Sequence, residues 1–211
     1  MKLAALLLLV SLSLAAEERV TFTKSFKGSI PPYCSLQISR TGDLEYKEAE
    51  TDDNPVRAKL SQGEVDSVFD MAGKLNHFKG ALESGLKVAN TGKKTFRYQA
   101  ADGAVTEAIF NYSTDPNAQQ LLEHFEQIAE TERAFIDLDR TVHFDKLGVN
   151  DSLSEIESLW LSKQLAAPAQ FIPLLTRIAE HTAFMHLVRD RAARLKEQFL
   201  AGSAAQSSNS Q

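Results

Sequence analysis

The chain has one cysteine, one tryptophan and six prolines in 211 residues. A single thiol excludes an internal disulfide framework and any zinc site built from cysteines. Positive charge is in the minority: 23 Lys and Arg stand against 28 Asp and Glu, a formal net charge of -5. That balance argues against nucleic acid as the partner, because phosphate binding calls for a basic surface. Neither Gly-x-Gly-x-x-Gly nor Gly-x-x-x-x-Gly-Lys-Ser/Thr occurs, and there is no Gly-x-Ser-x-Gly elbow. Phosphate-loop nucleotide binding and the common serine-hydrolase site therefore lack support. What remains is ordinary globular material, 43% hydrophobic and 24% charged, which excludes a wholly disordered chain.

Long apolar runs are absent but for one at the start. Lys2 is followed by Leu3 to Leu14, interrupted only by Ser11 and Ser13, and then by Ala15, Ala16 and the acidic pair Glu17-Glu18. One positive charge, a short apolar core and small residues at the exit predict a secretory signal peptide over 1–16, cleaved after Ala15 or Ala16. The run is too short to span a bilayer, which needs about 20 residues. The sequence thus reads as a secreted or periplasmic protein with no transmembrane segment in the mature chain. Removing the segment deletes Lys2 and no acid.

From Arg19 to Ser61 the pattern has period two. Val20, Phe22 and Phe26 alternate with Thr21, Thr23 and Ser25; Cys34, Leu36 and Ile38 alternate with Ser35, Gln37 and Ser39. Leu44 and Tyr46, then Val56, Ala58 and Leu60, continue the alternation, and Thr41-Gly42-Asp43 marks a hairpin. Such a pattern predicts antiparallel strands with one face on a core. Ser61-Gln62-Gly63-Glu64 then spells a capping box, followed by Val65, Val68, Phe69, Ala72 and Leu75 at helical spacing and by Asn76 and Gly80 as its end. Two further strands, through Phe96, Tyr98 and Ala100 and through Ala108, Phe110 and Tyr112, are joined at Asp102-Gly103.

Asp115-Pro116 suits a helix start, Asp as N-cap and Pro in the first turn. Leu121, Phe125, Ile128, Phe135, Leu138 and Val142 keep a helical spacing near 3.5 that is interrupted at Thr131/Glu132, and Gly148 ends that helix. A short helix follows from Asn150 through Trp160. Pro168 and Pro173 delay a last helix expected from Leu174 to about Leu200, with Ile178, His181, Met185, Val188, Ala192, Leu195 and Phe199 on one face. The tail after Gly202 is Ser, Ala, Gln and Asn, a disordered composition. The first of these helices is acidic and the last basic, so Glu123, Glu126 and Glu130 either face Arg189, Arg191 and Arg194 or form a solvated face.

The expected class is α+β: a strand-rich domain over 17–114 with a mostly antiparallel sheet and a covering helix, then a helical extension over 115–201, a hairpin or three helices. Chemistry-bearing residues are few. The five histidines are His77, His124, His143, His181 and His186. On one helix His181 and His186 would point about 140° apart, and Asp139 with His143 gives only two ligands on one face. Cys34 shares a strand face with Leu36 and Ile38, which predicts a shielded thiol. Lys93-Lys94-Thr95-Phe96-Arg97-Tyr98 reads as a half-buried strand rather than as a stacking platform. Asp52-Asp53 and Asp137/Asp139 lie in a polar loop and on a helix exterior.

The stretches Cys34 to Tyr46, the capped helix from Ser61, Thr91 to Tyr98 and Phe110 to Pro116 resemble uncharacterised secreted bacterial proteins of a small α+β type. The resemblance covers most of the mature chain and implies no activity. No catalytic, cofactor-binding or metal-binding residue is assigned, and no cofactor is expected. Export without a catalytic constellation points to a non-catalytic interaction or envelope-associated module with a protein partner. The alternative is a small-molecule binding protein with an apolar ligand between sheet and helices. A third reading is a hydrolase that brings His77 or His143 near a Ser or Asp.

Overall fold

The computed structural model describes residues 16–208, with side chains to residue 202. The expected signal peptide, apart from Ala16, lies outside the described residues. Strands β1 (Arg19–Ser25), β2 (Tyr33–Ser39), β3 (Asp43–Lys47) and β4 (Val56–Lys59) precede helix α1 (Gln62–Lys74). Strands β5 (Lys93–Gln99) and β6 (Val105–Phe110) follow, then helices α2 (Pro116–Phe144), α3 (Val149–Leu161), α4 (Ile172–Glu180) and α5 (His186–Ser208). The six strands form one antiparallel sheet in the order β4-β3-β2-β1-β5-β6. The class is α+β with a helical C-terminal region, as the periodicities require.

The local signals hold where the sequence places them. Gly42 adopts φ +92 in the β2–β3 turn, a left-handed conformation that favours glycine. Ser61 and Glu64 form the capping box in full. Asp115 accepts from the N–H groups of Asn117 at 2.8 Å and Ala118 at 3.2 Å, which occupies two free donors of the α2 start. Alternation sends Val20, Phe22, Leu36, Ile38, Leu44, Tyr46, Phe96 and Phe110 to one face, buried under α1 and α2. Phe96 is the hub of an aromatic cluster, with ring centroids 5.0 Å from Phe110, 5.3 Å from Phe78 and 5.6 Å from Phe125.

Helix α2 is shared by two cores. Ala118, Leu121, Phe125, Ile128 and Ala129 pack on the sheet, whereas Ala134, Leu138 and Val142 pack with α3, α4 and α5. The second core is an up-down-up-down arrangement. Thr141 meets Ser152, so α3 returns along α2; Glu132 meets Gln170 and His143 meets Arg177, so α4 runs with α2. Arg191 bonds Asn150, and Trp160 packs on Phe199 with centroids 4.9 Å apart, so α5 runs with α3.

Helix α2 runs unbroken through Thr131/Glu132, where the apolar spacing lapses; both residues are fully buried within it. Three expectations are corrected. The last helix is not continuous from Leu174: it divides into α4 and α5 around His181–Met185, because a single rod of about 40 Å would carry its stripe past the helices that can cover it. Phe184 turns inward at the division, while Met185 is 58% exposed and His181 is exposed. The basic helix does not face the acidic one through charge. Glu126 pairs with Lys24, Glu130 with Arg133, and Arg191 with Glu157. Finally, α5 continues through Gly202 to Ser208. A β-carbon at Gly202 would stand 2.6 Å from the Trp160 ring, so glycine here permits close helix packing rather than ending the helix.

Candidate functional site

Up-down connectivity brings the α2–α3 turn and the α4–α5 turn to the same end of the bundle. Arg177 Nη1 lies 2.9 Å from His143 Nε2, and Arg191 Nη1 lies 2.8 Å from Asn150 Oδ1, which ties the two ends together. Large apolar side chains protrude from these turns: Phe144 is 86% exposed, Leu147 80%, Leu187 63% and Met185 58%. Single exposed apolar residues are normal on a protein surface; here four large ones are gathered at one end. The residues around them are anchored. His143 Nδ1 lies 2.7 Å from the Asp139 carbonyl oxygen, in the tautomer that lets Nε2 accept from Arg177. His181 Nδ1 accepts from the Ala183 N–H, and His186 Nδ1 lies 2.7 Å from Asp190 Oδ2. The tip thus carries exposed apolar side chains beside imidazoles whose ring nitrogens are hydrogen-bonded.

A second feature lies at the other end of α2. The last inward-facing row of the sheet runs Phe110, Lys94, Lys24, Cys34 across β6, β5, β1 and β2. Two adjacent lysines thus stand where the face is otherwise apolar, and like charges opposite each other are destabilising. Lys24 Nζ donates to Glu126 Oε1 at 2.7 Å. Lys94, almost fully buried, is caged by oxygens instead, with the Asn111 carbonyl at 2.8 Å and Thr91 Oγ1 at 2.9 Å. Burial, helped by the Lys24 charge, lowers the Lys94 pKa. The Lys24–Glu126 bridge separates two clefts, one of about 320 Å³ walled by Phe110, Tyr112 and Leu122, the other of about 280 Å³ walled by Ile30, Cys34 and Arg133. Both are near the lower limit for small-molecule pockets.

Between these ends, at the seam of the two cores, Thr131 and Glu132 bond to the segment that connects α3 to α4. The Ala166 N–H donates to Thr131 Oγ1 at 3.0 Å, and Gln170 Nε2 donates to Glu132 Oε1 at 2.8 Å. Glu132 Oε2 and Gln170 Oε1 are buried without a partner. Burial pushes the Glu132 carboxyl up to about 7, and the Gln170 bond opposes it.

The other residues singled out from sequence are scattered. His77 packs at a tilt against Tyr98 with centroids 4.3 Å apart, inside a left-handed turn formed by Asn76, His77 and Phe78. His124 lies half-buried on α2; burial lowers its pKa, and Nε2 has no partner. His77 is thus in the strand-rich half and His143 at the tip, where Nδ1 lies 2.7 Å from the Asp139 carbonyl and 3.4 Å from Asp139 Oδ1, and Nε2 meets the Arg177 guanidinium; among the described residues no hydroxyl bonds either ring nitrogen. Cys34 is half-buried on the expected face, and burial raises its pKa against the pull of the Lys24 ammonium. The stretch Lys93 to Gln99 is the half-buried strand β5. Among the described residues no three His, Cys, Asp or Glu side chains are grouped to hold a metal ion, and no helix is long and apolar enough to cross a membrane. Sequence reasoning missed the two lysines, although the alternation Val20, Phe22, Lys24 and Lys94, Phe96, Tyr98 carried the signal. It also missed the tip, where Phe144 and Leu147 follow the last buried residue of α2 with nothing in the spacing to expose them. No family model matches the chain, and no curated protein matches it.

Proposed function

We propose that this is an exported, non-catalytic interaction module that meets a protein partner through the distal tip of its helical half. The reading rests on Phe144, Leu147, Met185 and Leu187, each more than half exposed, on two turns at one end of a bundle whose remaining stripe is buried. Exposing that much apolar surface is unfavourable unless it is covered in use. Replacing Phe144 and Leu147 together by Asp removes the apolar tip without touching either core. In extracts of the native host, the wild-type protein is expected to elute by size exclusion well above monomer mass, and the double variant at monomer mass with unchanged melting. Elution of both as monomers refutes the reading.

A second reading, a small-molecule binding protein, is favoured by the two inward lysines beside the clefts along α2. Native mass spectrometry of protein purified from its host tests it directly: a bound species lost on Lys24→Met supports it, and a mass equal to the bare chain counts against it.

A further inference from the structure

We propose that Glu132 is a neutral carboxylic acid in the folded protein, joined to Gln170 by two antiparallel hydrogen bonds, and that its ionisation at rising pH loosens the α3–α4 connector and α4 from α2. The geometry carries this. One bond of the pair is present, Gln170 Nε2 to Glu132 Oε1 at 2.8 Å. The two remaining oxygens, Glu132 Oε2 and Gln170 Oε1, are both buried and both unpaired. Two acceptors cannot satisfy each other, but a proton on Oε2 makes that oxygen a donor to Gln170 Oε1 and closes an acid–amide ring in which every polar atom is used. The ionised form leaves a fully buried charge with one neutral donor, which is costly.

No cation offsets that cost among the described residues. The only side chain that perturbs Glu132 is Gln170, from the connector; on α2 itself, Arg133 is committed to Glu130 at 3.2 Å. Among the described residues Glu132 forms no ion pair with the sheet, α1, α3, α4 or α5, and burial and the Gln170 bond are the causes of its shift. The location makes the pair a latch. Ala166 and Ala167 of the connector belong to the sheet-side core and Phe171 to the helical core, so residues 166–171 stitch the two cores across α2.

The sign follows from linkage. With the folded carboxyl pushed up to about 7 from its ordinary 4.5, the native state binds more protons than the unfolded chain between those values. Stability is then greatest below about 4.5 and falls as pH rises through 7. Between pH 5 and pH 8 the folded-to-unfolded ratio should lose on the order of 50- to 100-fold through this group alone.

Glu132→Gln tests the proposal, since an amide pair keeps both bonds at every pH. In urea unfolding of the full chain, the wild type is expected to weaken relative to Glu132→Gln from pH 5 to pH 8; parallel pH profiles overturn the neutral-acid assignment. Carbon-13 titration of the wild-type carboxyl needs no variant: a midpoint near 7 supports it, and one near 4.5 overturns it. Hydrogen exchange at pH 8 reads the latch. Faster exchange at the Ala166 N–H and in α4 of the wild type than in Glu132→Gln supports it, and equal protection overturns it.

Discussion

Met185 and Val188 stand three residues apart, on what the sequence reads as one face of one helix. The structure separates them: Val188 is 1% exposed inside the helical core, and Met185 is 58% exposed before α5. The Arg189 N–H donates to the Met185 carbonyl at 3.1 Å, so Met185 occupies the N-cap position, where its carbonyl accepts the first bond of the helix. The same substitution at the two sites should act with opposite sign. Val188→Asp forfeits about 1.5 kcal/mol or more of apolar burial and puts an unpaired carboxylate among Phe184, Ala192 and other buried apolar residues. A total of about 4 kcal/mol or more is expected, a large part of the 5–15 kcal/mol that holds a typical domain. Met185→Asp instead supplies an acceptor for the free N–H groups of the first turn and a negative charge at the positive end of α5. It should be neutral or stabilise by about 0.5–1 kcal/mol. Urea unfolding with sedimentation on both variants decides the matter. Similar losses in both would mean a continuous helix with one buried stripe. An unchanged melt in Val188→Asp, with an oligomer turned into a monomer, would make the stripe an assembly surface.

Three further outcomes are expected. In the α1 capping box, Glu64 Oε2 accepts from the Ser61 N–H at 2.8 Å and from the Ser61 hydroxyl at 2.7 Å, while Ser61 Oγ accepts from the Glu64 N–H at only 3.4 Å. Glu64→Ala should therefore cost about 1–2 kcal/mol and Ser61→Ala about 0.5–1 kcal/mol in urea unfolding; the reverse order would place the weight of the cap on the serine. Asn76 has φ +51 and is exposed, so Asn76→Ala should destabilise by about 1 kcal/mol while Asn76→Gly is near neutral, and equal effects would argue against the left-handed turn. Cys34 should react with thiol reagents more slowly in the native protein than in denaturant, since burial both shields it and raises its pKa; equal rates would refute the burial.

Features that depend on near neighbours are legible in the order of residues alone. Period-two alternation located the strands, Thr41-Gly42-Asp43 and Asp102-Gly103 located two turns, and Ser61 and Asp115 located helix starts, because pleat, turn and cap are set within a few residues. Tertiary structure decided the rest. Nothing in His181 to Met185 is a glycine or proline, so no breaker residue marks the division between α4 and α5; it comes from folding a long apolar stripe back onto a bundle of limited length. Thr131 and Glu132 look like a polar interruption of α2, yet they are buried because a connector more than thirty residues later supplies the Ala166 N–H and the Gln170 amide. Gly202 reads as a helix end, and only the nearby Trp160 ring explains why the helix passes through it. A polar residue's burial and a glycine's purpose are properties of what lies across the contact, which composition and periodicity do not contain.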